Sequence, residues 1–395
     1  MRILIVHPSG AFGGASKSII EFQNYLRNLS VTTDVLCVSG NVVGQFRSNG
    51  YLTNFSRHLS QFDNTRFGYY RGFRWLITLR ELVFFPSSLK AIKGCINHGD
   101  YCVIHINEIT LIPWVKLIRR WTNVPIIIHV RSLQRQGISD YRTRWLNSVL
   151  MHDVDKVIAI DDTVRRTLPK CLPVTVIHNS MKIEAQKNCG FKTRARFRIA
   201  IIGVLLKLKG IYEFLEAARI LVRERGYDIE FYIVGENARE LSGLKAAILK
   251  WLDLAHDVRS DTEAFVAAHS LQEHIVLTGF IENVQSIYAD LDVLCFPSHL
   301  NAAGRPVFEA AFYGVPSIVA VKDPPPDTII HGETGICIDE PDGRLIANAI
   351  ERLFKNREEL EFLGRNAKRL AHQNFDIKKN AEALLQVYKD AISKK

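Results

Sequence analysis

The distribution of apolar residues divides the chain into two series of short strands that alternate with amphipathic helices. In the first series, β-branched apolar runs bounded by turn residues predict strands that are buried on both faces. They cover residues 3–7, 34–39, 101–106, 125–130, 156–160 and 174–178, and helical patterns cover residues 18–29 and 111–121. Repeated alternation of strand and helix predicts a parallel, doubly wound sheet.

The same alternation starts again in the second half. Strands are predicted over residues 198–203, 230–235, 274–279, 292–297 and 316–321, with a strong helix over 210–226. Polar, irregular sequence from Asn179 to Arg196 separates the two series and predicts a linker. The pattern therefore predicts two Rossmann-like α/β domains, residues 1–180 and 181–375, facing a cleft at the carboxyl ends of their strands.

Composition narrows the class of protein. Of the 395 residues, 47% are hydrophobic and 23% are charged, as in an ordinary globular protein. No apolar run reaches the roughly 18–20 residues of a membrane span, and the first residues lack a signal-peptide cleavage pattern, so we expect a cytoplasmic protein. Seven scattered cysteines without a C-x-x-C pair argue for reduced thiols and against a zinc site or a disulfide framework.

The positive charge is concentrated in the first half. Residues 1–180 carry 22 Lys+Arg against 11 Asp+Glu, whereas the remainder carries 29 against 30. Such asymmetry suggests that the first half meets an anionic partner: nucleic acid, a membrane surface or a phosphorylated acceptor.

Residues 66–93 hold six of these cations, seven aromatic residues and a single glutamate. Interleaved basic and aromatic side chains suit an anionic membrane surface, and nucleic acid would accept the same mixture. The alternative is a core helix pair with a solvated basic face, in which Trp75, Phe84 and Phe85 simply pack.

Two loops between a strand and a helix have the composition of ligand-binding loops. Residues 9–18, SGAFGGASKS, follow the first strand, and Gly13 and Gly14 permit close backbone approach, although the spacing fits neither a P-loop nor a dinucleotide fingerprint. In GVLLKLKG (203–210), Lys207 and Lys209 are placed to neutralise a diphosphate. The alternative for the lysines is two solvated side chains on a loop.

The segment 296–320 combines a strand end, a loop containing Gly304, a helix and a second strand. The start of its helix offers N–H groups and a positive dipole end to a phosphate. If the phosphates of a nucleotide lie in this loop, Glu309 is placed to accept bonds from the hydroxyls of the same nucleotide. The alternative is a first-turn glutamate that only offsets the dipole. His129, at the end of a buried strand, is either a functional histidine or a hydrogen-bonded structural one.

Together these motifs resemble the retaining nucleotide-sugar glycosyltransferases of the GT-B fold, a family that includes bacterial lipopolysaccharide and capsule enzymes. The matching segments are GGASKSIIEFQNYL, VIHNSMKIE, GVLLKLKG, HIVLTGFIENVQSIYADLDVLCFPS and PDTIIHGETGICID, in that order. The resemblance covers nearly the whole chain and implies a final helix, 376–395, that packs back on the first domain.

The resemblance also implies roles for the residues of these motifs. Glu309 fills the second position of the family's Glu-x7-Glu motif, which binds the ribose hydroxyls. The implied catalytic residues are His129, Lys209 and Asn301. The implied donor-binding residues are Gly13, Gly14, Lys207, Lys209, Gly279, Gly304, Arg305, Pro306, Val307 and Glu309.

Two positions depart from the family pattern: Asn301 stands where the first glutamate is expected, and Val204 stands where an arginine is expected. The activity implied is transfer of a sugar from a nucleoside diphosphate sugar to a glycan or polyprenyl-linked acceptor at the inner face of the cell membrane. We expect no metal, no cofactor and no nucleic acid. The alternatives are a binding or scaffold protein that has lost catalysis, and a sugar-nucleotide epimerase.

Overall fold

The computed structural model describes residues 1–135, 137, 140–183, 196–237, 257–281 and 283–393. Contacts within the chain divide the protein into two units. The first unit consists of Met1–Lys182 together with Phe375–Lys395, and the second consists of Ile183–Asn374. Of the predicted linker, residues 184–195 lie outside the described residues.

The described part of the first unit contains one parallel sheet of seven strands in the order β3-β2-β1-β4-β5-β6-β7. The sequence pattern misses β3, which lies at the edge of the sheet and exposes three of its five residues, so that it lacks a continuous apolar run. The strands are β1 (Arg2–His7), β2 (Thr32–Val38), β3 (Leu52–Ser56), β4 (Val103–Ile106), β5 (Ile126–Val130), β6 (Lys156–Ala159) and β7 (Val174–Val176).

Helices cover both faces of this sheet. The C-terminal helix α13 packs against α1, and its Tyr388 is fully buried, with its hydroxyl 2.7 Å from Nδ1 of His105. The end of the chain is therefore part of the first unit. The helices are α1 (Gly14–Arg27), α2 (Asn41–Ser48), α3 (Leu76–His98), α4 (Pro113–Trp121), α5 (Tyr141–His152), α6 (Asp162–Arg166) and α13 (Ile377–Ser393).

The second unit, as far as it is described, holds a parallel sheet of six strands in the order β10-β9-β8-β11-β12-β13. The pattern misses β13, a four-residue strand directly after a glycine turn. The strands are β8 (Phe197–Ile202), β9 (Ile229–Val234), β10 (Ile275–Gly279), β11 (Val293–Phe296), β12 (Ser317–Ala320) and β13 (Gly335–Ile338). The helices are α7 (Ile211–Arg219, continued by a π turn over Ile220–Glu224), α8 (Val258–Ala268), α9 (Gln285–Tyr288), α10 (Arg305–Phe312), α11 (Gly343–Lys355) and α12 (Arg357–Asn374).

In each sheet the strand order reverses once, between β1 and β4 and between β8 and β11. Ligands of doubly wound sheets bind at this point, beyond the carboxyl ends of the strands. The loop with Gly13 follows β1, the loop with Lys207 and Lys209 follows β8, and the loop with Asn301 and Gly304 follows β11. The loops singled out in the sequence therefore lie at the two reversal points.

Residues 66–93 form a largely exposed surface, not a core helix pair. Along α3, the side chains of Leu76, Leu79, Leu82 and Val83 are 62%, 59%, 67% and 74% exposed, and Phe73 before it is 91% exposed. The predicted packing holds for a few rings only, as where Phe85 stacks on Trp114 with centroids 4.9 Å apart. Of the described helices, none combines the length and the hydropathy that crossing a bilayer requires.

Candidate functional site

The loops after β8 and β11 are joined by direct contacts. The N–H of His299 donates to the carbonyl of Leu208 at 3.0 Å, and the Ser298 hydroxyl donates to the same oxygen at 3.2 Å. Gly210 follows with φ of +79°, and a Cβ there would overlap the carbonyl of Pro297. Only glycine fits this approach, which brings the Lys207–Lys209 turn against the loop that leads to α10.

Lys209 is a partly buried ammonium without a carboxylate partner among the described residues. Its Nζ lies 5.1 Å from the centroid of the Phe296 ring, a cation–π contact. Desolvation lowers the pKa of Lys209 below its usual 10.5. Lys207 is exposed on the same turn. A half-buried cation that lacks a protein anion at a strand-order reversal is well placed to receive an anionic ligand.

Gly304 caps the start of α10 under the Phe296 ring, and a Cβ at this position would overlap that ring. The first turn offers few N–H groups to a phosphate, because Pro306 has none and the Val307 N–H already donates to the Gly304 carbonyl at 3.0 Å. Val307 is buried in the core. Of the predicted donor-binding set, Lys209 is consequently the main charge available to a diphosphate here.

Glu309 is the fifth residue of α10, and the first turn of this helix contains no acidic residue. The interpretation of Glu309 as a first-turn glutamate that offsets the dipole is therefore wrong. Its side chain is 6% exposed and accepts bonds from Arg305 Nε at 2.6 Å and from the Tyr288 hydroxyl at 2.8 Å. Burial, and then the Glu309 charge, raise the pKa of Tyr288, so Tyr288 remains a donor. Sequence reasoning did not single out Tyr288, because α9 is only four residues long and has no helical periodicity to detect.

Asn301 has a local reason to replace glutamate. Its φ is +50°, a left-handed conformation that asparagine adopts more readily than most residues, and its Oδ1 accepts the Lys322 N–H at 2.9 Å. This bond ties the loop after β11 to the end of β12. Val204, at the other departure from the family pattern, is 48% exposed.

His129 lies in β5 of the first unit and is 1% exposed, on the face of the sheet that α13 covers. Its Nδ1 faces Arg131 Nη2 at 3.4 Å, so the proton is on Nε2, a buried atom without a hydrogen-bond partner in the described part of the chain. Burial, the Arg131 charge and His105 hold the pKa of His129 well below its usual range. His129 is therefore neutral at pH 7.

Arg131 belongs to a polar cluster at the β1–β4 reversal that the sequence did not reveal as a group. Its Nε donates to Asn107 Oδ1 at 2.9 Å, its Nη1 donates to Asn179 Oδ1 at 2.9 Å, and Asn107 in turn donates to Nδ1 of His7 at 3.0 Å. Burial, reinforced by Arg131, lowers the pKa of His7 to about 3. His7 ends β1, Asn107 directly follows β4 and Arg131 directly follows β5, and that position is the signal that sequence reasoning could have used.

The predicted glycines differ in what the structure requires of them. Gly13 is the N-cap of α1 with extended backbone, and a Cβ there would meet no atom within 4 Å. Gly14 begins α1 and is exposed. Gly279, by contrast, has φ of +70° at the end of β10 and faces Glu236. The fold therefore accounts for Gly279 but not for Gly13.

Two family models cover residues 12–370 in succession. Residues 12–184 match the model described as Glycosyltransferase Family 4, and residues 183–370 match Glycosyl transferases group 1. The chain belongs to this glycosyltransferase family. It is thus a nucleotide-sugar glycosyltransferase of retaining type, as the sequence motifs predict.

Curated relatives of this glycosyltransferase support the assignment. The capsular polysaccharide biosynthesis glycosyltransferase CapM of Staphylococcus aureus is 25% identical over 68% of this chain and 71% of its own length. Alpha-D-kanosaminyltransferase of Streptomyces kanamyceticus is 21% identical over 69% of this chain and 72% of its own length. Spore coat protein SA of Bacillus subtilis is 20% identical over 76% of this chain and 81% of its own length.

Solved structures confirm the GT-B fold of this glycosyltransferase. Anabaena Alr3699/HepE in complex with UDP-glucose superimposes with a TM-score of 0.72 at 17% identity, over 99% of this chain and 100% of that chain. A glycosyltransferase from Rickettsia africae superimposes with a TM-score of 0.72 at 17% identity, over 99% of this chain and 98% of that chain.

The lowered pKa of Lys209 predicts a pH-dependent effect on stability. Between the native pKa and 10.5, the unfolded chain binds a proton at Lys209 that the native chain does not, so the stability of the wild-type protein rises with pH in this range. Below the native pKa, Lys209 is charged in both states, and burial of that charge lowers the stability of the native state. We expect Lys209→Met to raise the free energy of unfolding at pH 7 by on the order of 1 kcal/mol. The gain shrinks toward pH 10.5 in urea titrations. The exposed control Lys207→Met changes stability by less than about 0.5 kcal/mol, and a clear loss with Lys209→Met would contradict the assignment.

Proposed function

We propose that this glycosyltransferase transfers the sugar of a UDP-sugar, with UDP-glucose as the first donor to test, to a hydroxyl of a glycan acceptor. The observation that carries the donor site is the partly buried Lys209 ammonium, which has no carboxylate partner in the described residues and contacts the Phe296 ring at the β8–β11 reversal. The solved complex of Alr3699/HepE with UDP-glucose supports the choice of donor.

In this proposal the second unit binds the donor. Lys209, assisted by Lys207, neutralises the diphosphate, and Glu309 accepts bonds from the ribose hydroxyls. The leaving diphosphate accepts the proton of the acceptor hydroxyl on the face where the acceptor enters. Lys209 stabilises the negative charge that develops on the diphosphate, so the reaction needs neither a side-chain nucleophile nor a metal.

The remaining predicted residues have supporting roles in the proposal. Asn301 contacts the sugar through its amide group, while its Oδ1 holds the loop to Lys322. The first unit binds the acceptor, with Gly13 and Gly14 in its contacting loop, and the buried His129 acts through its neighbour Arg131. The donor contacts Gly279 at the end of β10 and Gly304, Arg305 and Pro306 at the start of α10, while Val307, which is buried and bonded through its N–H to Gly304, supports this turn from the core.

The acceptor is, in this proposal, lipid-linked and used in surface polysaccharide biosynthesis at the inner face of the cell membrane. The exposed stripe of Leu76, Leu79, Leu82 and Val83 supports a membrane contact, because exposed apolar patches of this kind mark interaction sites. The cations of residues 66–93, among them Arg71 and Arg74, are exposed beside it and suit anionic headgroups. The likeness to CapM supports the polysaccharide role.

A donor assay with Glu309 variants tests the transferase function. We expect UDP release from a UDP-sugar in the presence of membrane lipid extract, and a fall of about 10- to 100-fold in kcat/KM for Glu309→Gln, since a hydrogen bond to a charged group contributes about 1.5–3 kcal/mol. The exposed control Glu340→Gln should retain full activity. Absence of nucleoside diphosphate release from UDP-, GDP-, ADP- and TDP-sugars would favour the scaffold alternative.

Sedimentation with liposomes tests the membrane contact. The protein should sediment with anionic vesicles, and less so as salt rises, because salt screens the attraction between exposed charges and headgroups. Leu76→Ser/Leu79→Ser should reduce the bound fraction several-fold, whereas Leu345→Ser, an exposed leucine of the second unit, should not. Equal sedimentation of both variants, or no binding at any salt concentration, would remove the membrane from the proposal.

A further inference from the structure

A second pocket, separate from the predicted donor residues, lies in the first unit. It encloses about 500 Å³, within the range of small-molecule sites. Ile109 follows β4, Gln134 and Arg135 follow β5, and Thr167 to Lys170 follow α6, so the pocket borders the edge of the sheet where ligands of this fold class bind.

The described lining of this pocket is strongly cationic. It includes Arg135, Arg144, Arg166 and Lys170 and contains no aspartate or glutamate. Arg166 pairs with Asp162 at 2.8 Å, but Arg144 and Lys170 are exposed and have no carboxylate within ion-pair distance in the described part of the chain. Two of the four cations are therefore available to an anion that enters from solvent.

Arg135 is held rigidly at the wall of the pocket. Its Nη1 donates to Asp140 at 2.9 Å and to Asn64 Oδ1 at 3.1 Å, and its guanidinium lies 4.2 Å from the centroid of the Tyr69 ring. Asp140 also accepts a bond from Arg142 at 3.2 Å, so one carboxylate is shared by two guanidinium groups. The local charge stays positive, and Arg135 loses little entropy when an anion binds nearby.

The lining also contains apolar and neutral polar residues. Leu146, Leu150 and Leu168 are 4%, 1% and 6% exposed, and Asn147 and Thr167 lie among them in the lining. A lining that combines cations with buried leucines suits a ligand in which a phosphate or diphosphate is bonded to a less polar group. The volume exceeds what a single small anion would fill.

We propose that this pocket binds the phosphate or diphosphate group of the acceptor. The assignment to the acceptor rests on the proposed function, whereas the binding of a phosphate-type anion does not. Arginine and lysine together recognise such groups by paired N–H donors and by charge. The pocket would hold the acceptor by its anionic group and so contribute to acceptor specificity, without contact with the reacting atoms.

Calorimetric titration with inorganic pyrophosphate tests the pocket directly. All proteins carry Lys209→Ala, so that binding in the second unit is weakened equally. We expect Arg144→Gln/Lys170→Gln to lower pyrophosphate affinity at least tenfold, and the control Arg120→Gln, an exposed arginine of α4 outside the pocket, to leave it unchanged within twofold. Both residues of the double variant are exposed, so folding should be unaffected.

Geranyl diphosphate provides the second arm of the experiment. Binding at least tenfold tighter than pyrophosphate, and lost in Arg144→Gln/Lys170→Gln, would identify a lipid-linked diphosphate, and equal affinity would identify a water-soluble phosphorylated acceptor. If the double variant retained its pyrophosphate affinity, or if Arg120→Gln lost as much affinity, the proposal that this pocket binds a phosphate group would be overturned. Because the titration needs no turnover, an absence of transferase activity would contradict only the proposed function.

Discussion

The close approach of two backbone segments determines the geometry of the candidate donor site. Gly210 lies against the carbonyl of Pro297, so a side chain there would push the loops after β8 and β11 apart. Gly304 lies under the ring of Phe296, so a side chain there would displace the start of α10 from that ring. Their contact places Lys209 over the Phe296 ring, the same ring that Gly304 contacts at the start of α10. Parallel strands bring the loops to the same edge of the sheet, and the glycines then set how closely the lysine approaches the helix.

The excess of positive charge in the first half of the chain is found on two surfaces of the first unit. Part of it lies on the exposed segment 66–93, next to the apolar stripe of α3, and part lines the pocket that contains Arg144 and Lys170. Both are surfaces of the first unit, whereas in the described part of the second unit Lys209 is the one partly buried cation without a carboxylate. The proposal accordingly divides the anions between the units, with the donor diphosphate in the second and the acceptor's anionic group and membrane in the first.

Sequence reasoning predicted the doubly wound sheets because buried parallel strands are continuous apolar runs, and it failed at β3 and β13, whose short or half-exposed sequences lack such runs. It singled out Lys209, Gly304 and Glu309 as candidate site residues from motifs with fixed spacing. It could not identify Phe296 and Tyr288 as their partners, because these contacts join residues distant along the chain or depend on one side-chain direction. The reason for Asn301 likewise required its backbone angle and its bond to Lys322.

The central claim is that Lys209 is the cation that holds the diphosphate of the donor. Calorimetric titration of UDP into the wild-type protein, Lys209→Met and Lys207→Met tests it most directly. Loss of one charge-assisted contact, about 1.5–3 kcal/mol, predicts that Lys209→Met weakens UDP binding about 10- to 100-fold, while Lys207→Met has a smaller effect. Equal UDP affinity in the wild-type protein and Lys209→Met would contradict the account.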